Sequence, residues 1–365
     1  MWCSVTTEKL STKQVRHSCD LKTDPFTLLR YSFKMTSVFK KIFSFGQKKS
    51  CDNLEEVIHS SHHSTLSQTS KGPGEYVLGE LLGQGGFGRV FSGQRKPDNK
   101  EVVIKEVRKD ERFRKDNMNN NNDCGLPLEI QLMLRVQSVP GVVKILDYFD
   151  EGDSYYIVME KLKKCQDLFD FITEKGRLSE SEARRMFRRI VETVVGCRDA
   201  GVLHRDIKDE NILVDLSTGA TRLIDFGSGC FLPHAKVTPG EDEDDRVYTE
   251  FRGTRVYSPP EWVRDGEYRA DGLTVWSLGV LLHDMLAGDI PFDNDEMITR
   301  GMLPWTRHLG LSEEALDLVR QCLTVNTQLR ISLDNILTHH WLRESSTVTS
   351  SSSLTSLMST SPAKC

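Results

Sequence analysis

Near Glu160 the hydrophobic period of this chain changes. Upstream, apolar residues come in short alternating runs: Tyr76–Leu82, Arg89–Ser92, Glu101–Val107, Val142–Tyr148 and Tyr155–Met159. Runs of this kind predict five strands. A helical stretch over Leu126–Val136 interrupts them, after a loop carrying the tract Asn119–Asn122. Downstream, Gln166–Glu174, Ser179–Ala200, Leu273–Leu286 and Ser312–Leu323 space their apolar residues at i, i+3 and i+4, which predicts amphipathic helices. The expected class is therefore α+β and bilobal. A small β-rich lobe spans 76–160, a connection 161–165, and a larger helical lobe 166–342. A cleft between two lobes is a natural ligand site.

The flanks have another composition. Residues 1–74 hold 11 Lys/Arg against 6 Asp/Glu, while the rest of the chain holds 37 against 47. Residues 1–75 read as a disordered basic tail. Within it, 35–49 is a candidate amphipathic segment, with Val38, Phe39, Ile42 and Phe43 among Lys40, Lys41, Lys48 and Lys49. Met35 is a candidate alternative start, and His59, His62 and His63 lack companion metal ligands. Residues 343–365 read as a Ser/Thr-rich disordered tail.

Several function classes drop out on these grounds. No apolar run reaches the roughly 18 residues of a transmembrane helix, and residues 1–30 carry no secretory signal. The nine cysteines are odd in number and form no CxxC pair, against a zinc ribbon or disulfide framework. A reducing compartment, cytosol or nucleus, is expected, and so is a monomer. An acidic body disfavours nucleic acid and suits a basic peptide partner.

Six motifs then follow in order. Gly83-Gln84-Gly85-Gly86-Phe87-Gly88-Arg89-Val90 is a glycine-rich turn between two strand-like runs. Such a turn lets backbone N–H groups approach phosphates without Cβ clashes. Lys105, at the end of the next run, would reach the α- and β-phosphates, and Glu129 on the interrupting helix could pair with it. His204-Arg205-Asp206-Ile207-Lys208-Asp209-Glu210-Asn211 comes next, then Asp225-Phe226-Gly227, then Ser258-Pro259-Pro260-Glu261, with Arg330 as a buried partner for Glu261. Any one of these arises by chance; the ordered series does not.

From about Tyr76 to Leu342 the chain resembles a eukaryotic protein kinase, and more narrowly the Pim family of serine/threonine kinases. The narrower resemblance rests on the runs 166–174, 201–213 and 253–262. It implies the bilobal kinase fold, ATP and Mg²⁺, and transfer of the γ-phosphoryl to Ser or Thr of protein substrates. Asp206 would accept the hydroxyl proton and Lys208 would neutralise charge on the γ-phosphoryl, while Lys105 and Glu129 complete the catalytic set. Asn211 and Asp225 would hold the metal. Leu82, Val90, Val103, Met159, Leu213 and Ile224 would enclose adenine beside the hinge residues Glu160 and Leu162. The phosphates would lie under Gly83, Gln84, Gly85, Gly86, Phe87 and Gly88. Thr254 would bond near Asp206 and Lys208.

For the substrate, the resemblance implies an acidic strip of Asp167, Asp170, Glu210, Asp284 and Asp289. Asp167 and Asp170 are read as i and i+3 on one helix face. Arginine at −3 and a basic residue near −5 are the expected preferences. Constitutive activity is expected too, with Glu241–Asp245 or Glu250 as candidate sources of negative charge for Arg205.

The sequence departs from the Pim pattern in the hinge, where Leu162 replaces a proline, and at Val103, where most kinases have alanine. It also has a longer segment between Asp225 and Glu261. Thr274, where most kinases have aspartate, agrees with Pim. A catalytically weak pseudokinase serving as a binding scaffold is the alternative reading.

Overall fold

The computed structural model describes residues 73–85, 88–109, 125–232, 246–304 and 309–343. The tails, the segment 35–49, the Asn119–Asn122 tract, Gly86, Phe87 and Glu241–Asp245 lie outside these residues.

Five strands form one antiparallel sheet: β1 (Tyr76–Gly85), β2 (Gly88–Arg95), β3 (Lys100–Arg108), β4 (Ile145–Glu151) and β5 (Ser154–Glu160), in the order β1-β2-β3-β5-β4. Helix α1 (Leu128–Arg135) falls between β3 and β4 in the chain. The β-branched run Val102-Val103-Ile104 suits the central strand β3, where both faces are covered. Val102 and Ile104 join Tyr76, Phe149 and Val158 in a cluster on one face, whereas Val103 packs into the main core on the other. Side chains alternate across a strand, so Lys105 shares the face of Val103.

The second lobe opens with β6 (Cys165–Asp167) and helices α2 (Leu168–Lys175) and α3 (Glu180–Asp199). Ser179 caps α3, accepting from Glu182 N and donating to the Glu182 carboxylate, a capping arrangement that anchors the start of the helix. Strands β7 (Val202–Leu203), β8 (Ile212–Asp215), β9 (Thr221–Leu223) and β10 (Cys230–Phe231) follow. β6, β8 and β9 make a three-stranded sheet, and β10 pairs with β7. β11 (Val247–Tyr248) then pairs with β12 (Tyr268–Arg269), across α4 (Pro260–Asp265). The rest is helical: α5 (Ala270–Ala287), α6 (Asp295–Arg300), α7 (Glu313–Cys322) and α8 (Leu333–Thr338). Helix α5 is buried almost all round, and Trp276 within it stacks on Phe292 at 5.3 Å between ring centroids.

Most elements differ from the sequence expectation by a few residues at their ends, and two of these shifts bear on the site. Gln166 and Asp167 belong to β6, and α2 begins only at Leu168 because the Asp167 carboxylate caps it, accepting from Asp170 N at 2.7 Å. Asp167 and Asp170 are thus cap and first turn, not two residues of one helix face. The fourth strand starts at Ile145, since Val142 forms a parallel bridge with Leu223 of the other lobe.

A buried fork closes the lower lobe. Arg330 donates to both oxygens of Glu261 at 2.8 Å and lies 5.1 Å over the Trp276 ring. Gly272 makes room, because a Cβ there would meet Glu261 Oε1 at 2.9 Å. Removing one partner of such a pair leaves an uncompensated buried charge. Arg330→Met is expected to lower the unfolding free energy by about 3–5 kcal/mol, read from the urea midpoint; a loss under about 1 kcal/mol would contradict this role.

Candidate active site

Lys105 is where the two lobes meet chemically. Its Nζ donates to Glu129 Oε1 at 2.6 Å and to Asp225 Oδ1 at 2.9 Å, and the residue is 3% exposed. Helix α1 turns Glu129 inward together with Ile130, Leu132 and Met133, so its apolar packing orients the acid. Burial pushes the Lys105 ammonium down, but Asp225 and Glu129 outweigh it and hold the group above its usual value. Asp225 is the mirror case. Burial alone would raise it, and the adjacent ammonium holds it below the usual carboxylate range.

Between β7 and β8 the loop His204–Asn211 carries the remaining polar groups. His204 contacts Ile224 O at 3.0 Å and meets the Phe226 ring edge-on at 4.8 Å; burial holds its imidazole below the usual value. Asp206 is held from two sides. Thr254 N and Oγ1 both donate to its Oδ1 at 2.8 Å, and Asn211 Nδ2 donates to its Oδ2 at 2.9 Å. Lys208 Nζ stands 3.8 Å from the same Oδ2 and 2.6 Å from Glu210 Oε2.

Two non-glycine residues here adopt left-handed backbone: Arg205 at φ 65° and Asp225 at φ 62°. Such conformations cost on the order of 1–3 kcal/mol each and persist only when neighbours over-determine them. The neighbours are present. Arg205 donates to Ser228 O at 2.6 Å and Gly229 O at 2.9 Å, and Asp225 Oδ1 accepts from Gly227 N at 3.1 Å. Among the described residues no carboxylate pairs with Arg205, and Glu250 instead pairs with Arg252 at 3.0 Å. Backbone carbonyls occupy the Arg205 guanidinium, so Glu250, one of the two candidate sources of charge, does not meet it; the other, Glu241–Asp245, lies outside the described residues.

The apolar residues also converge. Leu82, Val90, Val103, Met159, Leu213 and Ile224 are buried in one cluster, with Leu162 packed against it. Gly83, Gln84 and Gly85 on β1 pair with Val90, Arg89 and Gly88 on β2. Gly88, at φ 130°, is required: a Cβ there would lie 1.9 Å from Glu106 O. At the hinge, Glu160 N donates to Lys144 O at 3.0 Å, and the Glu160 carboxylate accepts from Lys144 N at 3.1 Å. The Leu162 N–H has no acceptor among the described residues.

Residues 76–342 match the protein kinase domain family. Over 280 residues the chain is 46% identical to the serine/threonine-protein kinase pim-2 of Danio rerio, covering 74% of this chain and 86% of the relative. The chain belongs to the protein kinase family, as a divergent Pim-like member. It is also 39% identical to the serine/threonine-protein kinase prk-2 of Caenorhabditis elegans over 294 residues, 80% of this chain and 63% of that one. With the serine/threonine-protein kinase PSK2 of Saccharomyces cerevisiae it shares 33% identity over 274 residues, 74% of this chain but only 24% of the yeast protein. The protein is a serine/threonine protein kinase.

The kinase family implies ATP and, typically, Mg²⁺, and the donor set fits that ion. Asn211 commits its amide nitrogen to Asp206 O and Oδ2, which leaves the amide oxygen as what it can offer a cation. Asp225 brings a second hard oxygen donor. Among the described residues no group of three or more His, Cys, Asp or Glu could hold a metal by itself. Mg²⁺ commonly takes one or two protein ligands and completes its shell with phosphates and water.

On the substrate side the acidic residues are less alike than the sequence suggests. Asp167 and Asp284 are 3% and 1% exposed, whereas Asp289 is exposed and Asp170 and Glu210 are intermediate. The buried position of Asp284 in α5 departs from an open acidic strip. Sequence reasoning missed Asp209, a buried acid that accepts from Glu210 N at 2.9 Å and Tyr257 Oη at 3.2 Å. Burial and the Glu210 charge push its carboxyl up to about 6. Its place within the motif His204–Asn211 was the available signal.

Asp167 yields a pH test. Burial, then the nearby Asp170, Asp209 and Glu210, push its carboxyl up to about 7 from 3.8, although the Asp170 N–H opposes this. The folded kinase therefore binds this proton more tightly than the unfolded chain. The resulting stability is full below about pH 4 and is lost as pH rises through about 7. Asp167→Asn keeps the capping oxygen and removes the titration. Its unfolding free energy relative to wild type is expected to rise between pH 4 and 8, by at most about 4 kcal/mol. A pH-independent difference would show that the site does not titrate as described.

Proposed function

We propose that this kinase transfers the γ-phosphoryl of ATP, with Mg²⁺, to Ser or Thr in basic peptide contexts, using 76–342 as its catalytic unit. Asp206 accepts the proton of the substrate hydroxyl and aligns it for in-line attack. Lys208 neutralises charge on the γ-phosphoryl, and Lys105, oriented by Glu129, steadies the α- and β-phosphates. Asn211 and Asp225 hold the metal, whose chemistry is to offset the phosphate charge. The adenine lies among Leu82, Val90, Val103, Met159, Leu213 and Ile224, with the Leu162 N–H as a hinge donor beside Glu160. The glycine-rich turn from Gly83 to Gly88 covers the phosphates.

The observation that carries this reading is the fixed Asp206 carboxylate, with three donors at 2.8–2.9 Å and a lysine ammonium within 3.8 Å. A base so held loses little freedom on reaching the transition state. Arginine at −3 is assigned to Asp170 and Glu210, and a basic residue near −5 to the exposed Asp289, because a guanidinium fork matches carboxylates; Asp167 and Asp284, enclosed in the fold, support these positions from behind. The scattered cysteines, odd in number and free at the four described positions Cys165, Cys197, Cys230 and Cys322, favour cytosol or nucleus.

We also propose that activity needs no phosphorylation of the segment between Asp225 and Glu261. Two features support this: the Lys105–Glu129 pair is closed at 2.6 Å, and backbone carbonyls already occupy Arg205. Protein co-expressed with a phosphatase, and found unphosphorylated by mass spectrometry, is expected to retain activity; an inactive product would refute the proposal.

A positional-scanning peptide assay with Asp206→Asn in parallel tests the chemistry. Wild type is expected to select arginine at −3 above all, and the variant to lose about 10²–10⁴-fold in rate while keeping its fold. More than half the wild-type rate in Asp206→Asn would remove the base assignment. A proline-directed or acidic preference would sink the basic-substrate reading while leaving the kinase itself intact.

A further inference from the structure

Lys208 and Glu210 have been given separate tasks, one toward the γ-phosphoryl and one toward the substrate arginine, yet they hold each other. Lys208 Nζ lies 2.6 Å from Glu210 Oε2 and 3.8 Å from Asp206 Oδ2, so the ammonium sits closer to the recognition carboxylate than to the base. The Lys208 side chain is 16% exposed and that of Glu210 35%. Burial pushes the Lys208 ammonium down, but Asp206 and then Glu210 more than offset this and keep it charged above its usual value.

From this geometry we infer that Glu210 is a positioning residue, a latch on Lys208 that substrate arginine releases. An ammonium is a point charge whose place is set by its nearest anion. An arginine fork binding in bidentate fashion occupies both carboxylate oxygens. A carboxylate oxygen can take a second donor, but a docked guanidinium puts a second cation on Glu210, which shares its charge, repels the Lys208 ammonium and weakens that short bond. When the arginine docks, Glu210 turns to it and the freed ammonium moves toward the γ-phosphoryl. The backbone need not shift, because Glu210 N stays on Asp209 Oδ1 at 2.9 Å and Asp209 is held by Tyr257. A substrate with the right charge thus raises the rate of transfer as well as its own affinity. This inference rests on the basic-substrate reading proposed above.

The test is rapid-quench single-turnover transfer at saturating ATP, with paired peptides that differ only in arginine or alanine at −3. In wild type the arginine is expected to raise the maximal transfer rate as well as lower the peptide KM. In Glu210→Gln and Glu210→Ala, checked by thermal melting, the maximal rate on the alanine peptide is expected to rise about threefold or more, or about 0.65 kcal/mol of barrier. The two peptides are then expected to converge in rate. If arginine acts on KM alone and neither variant speeds the alanine peptide, the latch is overturned and the basic-substrate reading stands. If wild type ignores arginine in both constants, that reading fails, and ATP hydrolysis without peptide decides the rest. A faster rate in both variants keeps Glu210 as a restraint on Lys208, and an unchanged rate overturns it.

Discussion

A single ammonium joins three separate pieces of chain. Lys105 comes from β3, Glu129 from α1, and Asp225 from the stretch after β9, 120 residues further on. Buried carboxylates and a buried ammonium are each costly alone, because low-dielectric surroundings penalise unpaired charge. Together they are mutually required, and satisfying them brings the small lobe, its helix and the large lobe into one arrangement. The apolar cluster around Val103, Met159, Leu213 and Ile224 supplies the drive for burial, but hydrophobic contact is non-directional. The charges supply direction.

The loop His204–Asn211 depends on that arrangement. Arg205 and Asp225 both occupy left-handed backbone, and both are fastened by backbone groups of the residues 227–229. One short stretch after Asp225 thus stabilises two strained residues that belong to different motifs. The outcome is an Asp206 carboxylate with little rotational freedom and with Lys208 close by. Strain in this position is what a preorganised site requires, since geometry settled beforehand need not be found during the reaction.

Two departures from the family pattern acquire a physical meaning. Val103 is only 4% exposed and sits across from Met159 in the sheet, so its extra methyls are absorbed by the cluster beside the hinge. Leu162 replaces an imino acid by a residue with an N–H, and that N–H has no acceptor among the described residues. Thr274 bonds its own helix at Ala270 O, 2.8 Å away, and so satisfies its buried hydroxyl locally.

Much of this molecule was legible in the order of its residues. The five strands and the long helices follow from periodicity, which is a local property of the side chains. The catalytic series is legible for the same reason, because each motif places its reactive groups within a few residues. Lengths of two or three residues carry no period, so β7, β10, β11 and β12 could not be read. Nor could the cap at Asp167, since a cap differs from a first-turn residue only in where its carboxylate finds an N–H. Whether an acid is a surface recognition group or a buried one was beyond the sequence as well. Asp284 lies in the last turn of α5 and Asp289 just past its end, yet one is enclosed and the other open. Burial, pairing and the choice of Glu210 as the nearest anion of Lys208 depend on groups from several elements meeting at one point, and that is decided only when the chain has packed.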